Sequence, residues 1–187
     1  MARRSGQALL ETLLVLLVLC LMLFGFLQAA LAIGGRDILH HAASRAARAR
    51  AVGFNEWMAE KAARVAAIPV SGRLLSDGIG YDAAEDGDLA AFERARIPEY
   101  LASENHARAA YVLDYSEWER GSFRFSEHGP MLAGEGALSY GVRQDAPLDM
   151  PFAPILFPWA DLDEEGVSRV PVEAFGAAGD HSGLYLE

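Results

Sequence analysis

The residue whose chemistry fits its surroundings least is the acid Glu11. The next charged residue is Arg36, and the run from Thr12 to Gly35 between them carries no charge. At about 1.5 Å of helical rise per residue this run is about 36 Å long, which exceeds the roughly 30 Å hydrocarbon core of a bilayer. The run therefore predicts a membrane-spanning helix. A carboxylate costs about 2 to 3 kcal/mol at the centre of such a helix and less towards its end, so Glu11 indicates a function.

The residues around Glu11 form a recognisable motif. A short basic leader ends at Gly6, four uncharged residues follow, and Glu11 then precedes the apolar helix. This arrangement resembles the cleavage and assembly motif of type IV prepilins and pseudopilins. Together with the alanine- and arginine-rich run Ala42 to Gly53, it resembles more narrowly TadE, a minor pseudopilin of tight-adherence pilus systems.

The resemblance implies a role for each part of the motif. Gly6 would be the last residue of the leader, Gln7 the N-terminus after cleavage by prepilin peptidase, and Glu11 the fifth residue of the mature chain. It also implies a single-pass protein of the bacterial inner membrane, with a cytoplasmic N-terminus and an extracytoplasmic head. The implied partners are other pilin or pseudopilin subunits, the inner-membrane assembly platform and membrane lipid. Major pilins of these systems are very short and carry tyrosine after the glutamate, whereas this chain has Thr12 and a long head, which favours a minor subunit.

Cleavage at this position would give Glu11 a partner of opposite charge. It would expose an α-ammonium on Gln7, with an ordinary pKa of about 8. Gln7 and Glu11 are four residues apart and therefore lie on one face of a helix. By the resemblance, the amine that neutralises Glu11 in an assembly belongs to a neighbouring subunit. Alternatively, Glu11 lies solvated at the headgroup level and has no role.

Charge is distributed unevenly along the chain. The net charge is −10, but residues 54–187 contain 10 Lys or Arg against 24 Asp or Glu, and residues 36–50 carry a net charge of +3. An acidic head argues against nucleic acid as a partner. The basic band at residues 36–50 is expected to be a solvated helical face, a contact for lipid phosphates or a contact for the acidic head of another subunit.

The length of the chain allows one membrane helix and one head domain. We predict a leader at residues 1–6, a transmembrane and extended helix at residues 7–53, and an extracytoplasmic head at residues 54–187. The single cysteine, Cys20, lies in the span, so we expect no disulfide in the head.

The span also contains features that favour other interpretations. Gly25, Ala29 and Ala32 have the small-residue spacing that lets another helix approach closely, and lipid exposure of the remaining, leucine-rich faces is equally compatible with the sequence. The A-x-A sequence at residues 30–32 is typical of a signal-peptide cleavage site. The competing interpretation is thus a signal-anchored or secreted extracytoplasmic binding module unrelated to pili.

Residue patterns in the head predict an α+β fold with a short antiparallel sheet. The N-terminal helix is expected to continue past the span and to end at Gly53. Further helices are expected at three places: Glu56–Ala67 (capped by Asn55 and closed by Pro69), Leu89–Ile97, and Pro98 to about Tyr115. Strands are expected at three places: Ser122–Ser126, Leu138–Gln144 and Val167–Phe175, the last with Pro171 tolerable only at an edge or bulge. The proline-interrupted segment Met150–Trp159 is expected to pack on the head or to form a docking surface, and the apolar tail His181–Leu186 is expected to be docked.

The acidic loop before the third helix admits a weak calcium alternative. Five of its residues fit positions 1, 5, 6, 7 and 12 of a calcium-loop pattern: Asp82, Asp86, Gly87, Asp88 and Glu93. Position 3 is Ala84, which has no side-chain oxygen, and Asp88 is also a suitable N-cap. We therefore expect helix capping and solvated acids, with calcium binding as the alternative.

No common catalytic motif occurs in the sequence. It lacks G-x-S-x-G, H-E-x-x-H, a P-loop and a dinucleotide-binding glycine pattern. We therefore expect a structural subunit without a cofactor and not a membrane-tethered enzyme.

Overall fold

The structure is a computed structural model, and it describes residues 3–75, 89–119, 124–128, 137–147, 161–162 and 168–179. The chain forms two units. One consists of Met1–Gly34 and Ala146–Val170, and the other consists of Gly35–Asp145 and Pro171–Glu187.

A single helix, α1, extends from Arg3 to Ala51. Runs of leucine and alanine without proline favour a helix of this length. The chain leaves the helix at Gly53, whose φ of 98° lies in the left-handed region that glycine adopts at little cost. The Gly53 amide donates to the Arg50 carbonyl at 2.8 Å, and the Phe54 amide donates to the Ala49 carbonyl at 3.1 Å. The predicted end of the helix at Gly53 is confirmed.

Helix α2 spans Glu56–Ala67, as predicted. Asn55 caps it, because its side-chain oxygen accepts a hydrogen bond from the Met58 amide at 2.8 Å. A 3₁₀ turn at Ile68–Val70 follows and contains Pro69, which has no amide hydrogen to continue the α-helical pattern. The predicted cap and the closure at Pro69 are both confirmed.

Three further helices follow, and they correct the prediction for this region: α3 (Leu89–Ala102), α4 (His106–Val112) and α5 (Ser116–Glu119). The predicted helix boundary at Pro98 is wrong, because Pro98 lies inside α3. Pro98 has no amide hydrogen to donate to the Arg94 carbonyl, and its ring lies close to that carbonyl. The helix nevertheless continues to Ala102 without this hydrogen bond. The chain breaks instead before Asn105, whose side chain caps α4 by accepting a hydrogen bond from the Arg108 amide at 2.9 Å.

Four strands form one sheet in the order β1-β2-β4-β3. Their bounds are β1 Arg124–His128, β2 Ala137–Pro147, β3 Asp161–Leu162 and β4 Ser168–Gly179. β1 pairs antiparallel with β2, with Phe125 opposite Val142, and β3 pairs antiparallel with β4, with Asp161 opposite Arg169. The three predicted strands correspond to β1, β2 and β4, although Ser122 and Phe123 lie outside the described residues, and β3 was not predicted. The observed helices and antiparallel sheet confirm the α+β class.

Pro171 lies within β4 and not at a strand end. The described pairing of β3 with β4 stops at Arg169, so Pro171 lies beyond it. β4 lies between β2 and β3 in the sheet, so Pro171 lies in an inner strand and not in the edge strand that was expected. The proline-interrupted segment Met150–Trp159 and the tail His181–Leu186 lie outside the described residues.

Small side chains make up much of the buried core. Eight buried alanines come from α1 and α2: Ala42, Ala43, Ala46, Ala47, Ala51, Ala59, Ala63 and Ala67. Because alanine has little bulk, backbones can approach closely across it. A Cβ added to Gly176 of β4 would lie 2.4 Å from the Ala43 carbonyl carbon, so β4 crosses α1 with its backbone almost in contact.

Hydrogen bonds fix the 3₁₀ turn to the rest of the head. The Ser71 hydroxyl donates to the Ala67 carbonyl at 2.8 Å and accepts a hydrogen bond from Trp118 Nε1 at 2.8 Å. The Gln144 side-chain amide donates to the Val70 carbonyl, which connects β2 to the same turn. Side chains from a helix and a strand therefore satisfy polar groups that burial would otherwise leave without partners.

Candidate assembly site on the N-terminal helix

The N-terminal part of α1 has an apolar surface that nothing in the described part of the chain covers. Most of its large side chains from Leu9 to Ile33 are exposed, and Phe26 is 71% exposed. The helix from Gln7 onward is long and apolar enough to cross a membrane. Removing one such side chain from water is worth about 1.5 to 3 kcal/mol. This one N-terminal apolar helix therefore suggests single-pass membrane anchoring.

Glu11 is exposed on this helix, one turn from its predicted processing site. The side chains that can reach it along the helix are those three and four residues away, which are Gln7, Ala8, Leu14 and Val15. None of these carries a positive charge. Among the side chains that the structure describes, Glu11 has no ion-pair partner, and a new N-terminus or a neighbouring molecule would supply the opposite charge.

The bond between Gly6 and Gln7 lies in helical backbone, because α1 begins at Arg3. Loss of residues 1–6 would make Gln7 the first residue of the helix. Its new ammonium would lie at the positive end of the helix dipole, where a cation is unfavourable and a carboxylate one turn along is favourable. The position of Glu11 is therefore electrostatically suited to a helix that starts at Gln7.

The predicted helix-packing face is open. A Cβ added to Gly25 would have no neighbouring atom within 4 Å, and Ala29 and Ala32 are exposed. These three residues lie on one face of α1, since they are four and three positions apart. The described structure leaves room for another helix on this face, and the packing role itself stays a prediction.

The second part of α1 is buried instead of exposed. Leu39 and the alanines that follow at helical spacing form a buried stripe, and Leu39 is 2% exposed. On the neighbouring face, the His40 ring donates from Nδ1 to the Phe175 carbonyl of β4 at 3.1 Å. Sequence reasoning identified the helix but missed this stripe as core. The signal was present, because buried positions 39, 42, 43, 46 and 47 follow the 3.6-residue period.

The basic band predicted at residues 36–50 does not lie on one face of the helix, because Arg45 and Arg48 lie opposite the buried stripe whereas Arg36, nine residues before Arg45, lies on the other side. Arg36, Arg45 and Arg48 are exposed, whereas Arg50 donates from Nη1 to the Phe54 carbonyl at 2.9 Å. Arg45 and Arg48 therefore present positive charge on the face of α1 that points away from the alanine stripe. They remain available for lipid phosphates or for an acidic protein surface.

One basic residue of the head, Lys61, is buried and is 2% exposed. Its Nζ donates to the Leu101 carbonyl at 2.8 Å and to the Ser103 carbonyl at 2.5 Å, at the C-terminal end of α3. It also lies 5.1 Å from the centre of the Trp57 ring. Desolvation lowers the pKa of the Lys61 ammonium below its ordinary value of 10.5. Lys61 therefore acts as a buried cap for α3, where the helix dipole favours a cation.

Glu93, from the calcium pattern, is engaged by a tyrosine. The Tyr115 hydroxyl donates to a Glu93 carboxylate oxygen at 2.6 Å. Burial and this hydrogen bond raise the pKa of Tyr115 above its ordinary value. No cluster of three or more His, Cys, Asp or Glu side chains that could hold a metal occurs among the described residues. The other acids of the pattern, Asp82, Asp86 and Asp88, lie outside those residues, so the calcium alternative stays a prediction.

Comparison with known proteins finds a similarity in the N-terminal segment. Residues 6–48 match the model of a family described as TadE-like protein. The match begins at the predicted leader glycine and covers Glu11, the span and most of the alanine stripe. It includes 43 of the 187 residues, and the later helices and the sheet lie outside it. No curated protein and no solved structure matches the chain.

Proposed function

We propose that this chain, whose N-terminal segment is TadE-like, is a minor pseudopilin that is assembled through α1. The segment's similarity to the TadE-like family supports a protein associated with Tad pili. In this proposal prepilin peptidase cuts after Gly6, and the exposed apolar part of α1 packs against other pilin subunits and the assembly platform in the inner membrane. The head lies outside the cytoplasm, and the chain is a structural subunit and not an enzyme.

The observation that carries the proposal is the position of Glu11. It is a carboxylate at the edge of an exposed apolar helix, and no residue within helical reach carries the charge to neutralise it. The α-ammonium of a processed neighbouring subunit has the required charge. Because leaving a carboxylate unpaired in lipid costs about 2 to 3 kcal/mol at the centre of the bilayer and less near its edge, the pairing would favour one register of packing.

The first prediction concerns processing. The intact mass and N-terminal sequence of the full chain, purified from cells with an active prepilin peptidase, should show a start at Gln7. A start at Met1 or Ala2 would indicate a plain signal anchor, and a start at Ile33 a secreted module. Gly6→Ser should block cleavage and leave the larger form. If Gly6→Ser and the unmodified chain have the same N-terminus, the proposed processing site is wrong.

The second prediction concerns Glu11. Glu11→Gln removes the charge and keeps nearly the same shape, so the subunit should stay in the membrane but fail to enter the assembly. We expect a loss of at least about tenfold in the amount that copurifies with pili or their assembly complex, since 1.4 kcal/mol corresponds to a factor of ten.

Thr12→Val provides a matched control for this experiment. The Thr12 hydroxyl donates to the Ala8 carbonyl of its own helix at 2.8 Å, so its loss leaves no partner charge unpaired. Assembly of Thr12→Val should equal that of the unmodified chain. Normal assembly of Glu11→Gln under the same conditions would refute the pairing, even if Gly6 were still processed.

A further inference from the structure

A groove on the head lies between the end of α1 and helix α2. Its volume is about 340 Å³, and residues of α1, α2 and α3 line it together with the loop after Gly53. Four of its lining side chains are large, apolar and between 38% and 47% exposed: Val52, Phe54, Met58 and Leu101. The described residues beyond Gly35 include eight exposed large apolar side chains, so half of them lie in this one groove. Such clustering is typical of a binding surface.

Positive charge surrounds the apolar floor of the groove. Arg45 and Arg48 of α1 line it and are exposed, and the residues that line it include no acid. Lys61 also lines the groove, but its ammonium already donates hydrogen bonds to carbonyls at the end of α3. The charges available to a ligand are therefore the two arginines. The groove suits a ligand that combines apolar side chains with carboxylates.

The position of these arginines along α1 disfavours lipid as the ligand. Arg36 is charged, so Gly35 is the last residue along α1 that can lie within the hydrocarbon core. Arg45 and Arg48 then lie about 15 and 20 Å further along the helix axis. The headgroup layer is only about 5 to 8 Å thick on each side, and a typical tilt of about 20° shortens these distances little. A protein ligand is therefore favoured over a membrane surface.

The chain itself offers a surface of the matching charge. Residues 54–187 contain 10 Lys or Arg against 24 Asp or Glu. The acids Glu56 and Glu104 are exposed, as is Glu99, although Glu99 already pairs with Arg96 at 3.0 Å. Anchoring in one membrane would also hold copies of the chain close together, which raises the effective concentration of each for the other.

We propose that the groove lined by Arg45, Arg48, Phe54 and Met58 binds the acidic head of a second copy of this chain. The groove and the acidic surface are different patches of one head, so the contact is heterologous and can repeat from copy to copy. This inference goes beyond the proposed function, because self-association of heads requires neither cleavage after Gly6 nor pairing of Glu11.

The test measures self-association of the full chain in a zwitterionic detergent by sedimentation velocity over a range of concentrations. Arg45→Glu/Arg48→Glu should raise the dissociation constant by about tenfold or more, which corresponds to about 1.4 kcal/mol. Phe54→Ser should weaken association as well, because it removes apolar contact area from the floor of the groove.

Salt and a control variant test the electrostatic part of the contact. Raising the salt concentration from 0.01 to 1 M shortens the Debye length from about 30 to about 3 Å and should weaken self-association of the unmodified chain more than that of the double variant. Arg108→Glu is the control, because Arg108 is exposed on α4 and does not line the groove, and its dissociation constant should stay within about twofold.

A mixing experiment separates the proposed contact from damage to the fold. The double variant has a weakened groove but keeps its acidic surface, so it should bind the unmodified chain more tightly than it binds itself. Association through the span is common to all variants and forms a constant background. Equal dissociation constants for the unmodified chain and the double variant would overturn the proposal, as would a monomeric unmodified chain at every concentration. If the substitutions instead reduced binding to anionic lipid nanodiscs and left self-association unchanged, the ligand would be lipid and the proposal would be wrong.

Discussion

The two parts of α1 show opposite relations between a helix and its surroundings. Up to Ile33 the helix presents large leucine, valine and phenylalanine side chains, and these are mostly exposed. From Leu39 onward its buried side is made mostly of alanines. Ala42, Ala43, Ala46 and Ala47 are fully buried. Large apolar side chains in the first part, which the described part of the chain leaves exposed, suit the apolar environment of a membrane. Small side chains in the second part allow other elements of the head to approach closely.

This contrast shows why one uninterrupted helix can serve two purposes. In the first part, stabilisation grows with apolar area and depends little on exact shape, since lipid adapts to the side chains. In the second part, it depends on the fit between rigid elements, because protein interiors are close-packed. Substitutions of equal size should therefore have very different effects in the two parts.

The largest difference is expected between two glycines. A Cβ on Gly176 would lie 2.4 Å from backbone atoms of Ala43 and Ser44, whereas a Cβ on Gly25 would have nothing within 4 Å. Gly176→Ala should lower the free energy of unfolding of the head by about 3 kcal/mol, because neither backbone can move without repacking the core. Gly25→Ala should leave it unchanged. Thermal unfolding of the full chain in detergent, followed by fluorescence of Trp57 and Trp118, measures both.

Similar unfolding temperatures for Gly176→Ala and the unmodified chain would show that β4 can withdraw from α1. The contrast between the two parts of the helix would then lose its structural basis. A large loss of head stability in Gly25→Ala would contradict it from the other direction, since Gly25 would then have neighbours that the described structure does not show.

The comparison also explains which features could be predicted from the sequence. The span, the cap at Asn55 and the end of α1 at Gly53 depend on local chemistry, such as missing charge, a side-chain oxygen or a left-handed glycine. The boundary at Pro98 was wrong because the local preference of proline to begin a helix was outweighed. A cap further along at Asn105 and the buried Lys61, 40 residues away in sequence from Leu101, determine where α3 ends.

The candidate site divides in the same way. The spacing of Gly6, Gln7 and Glu11 is a linear motif, so it was visible without a structure. The groove beside Arg45 and Met58 depends on how α1 and α2 pack together, and no pattern in the linear sequence predicts it. The sequence showed an excess of positive charge in this band, but only the structure places exposed apolar side chains next to it.

A smaller effect is expected at Lys61, which tests whether polar anchors add to the close fit of the head. Lys61→Met keeps most of the apolar stem but removes the donor to the Leu101 and Ser103 carbonyls. We expect a loss of about 2 kcal/mol in the free energy of unfolding of the head at neutral pH. Arg94→Met, an exposed cation on α3, is the control and should change it by less than about 0.5 kcal/mol.

The pH dependence gives Lys61 a second signature. Because its pKa is lowered below 10.5 in the folded state, the unfolded chain binds more protons just below that pH. This residue therefore makes stability rise with pH as the pH approaches 10.5, and Lys61→Met should lack that rise. An identical pH dependence in the two chains would show that burial does not lower the pKa of Lys61 in the folded state.

The smallest effect is expected at Tyr100. The pH dependence of this residue measures burial in the head and should not depend on the membrane-spanning part of α1. Tyr100 is 1% exposed, and burial raises its pKa from 10.0 to about 12. The folded head keeps the hydroxyl proton in this range while the unfolded chain loses it. The stabilisation is therefore fully present below pH 10 and is lost as the pH rises to about 12. The free energy of unfolding of the unmodified chain, measured relative to Tyr100→Phe, should fall by about 1 kcal/mol between pH 10 and about pH 11. Tyr111→Phe is the control, because Tyr111 is 84% exposed. A fall of equal size measured with Tyr111→Phe would mean that burial is not the cause.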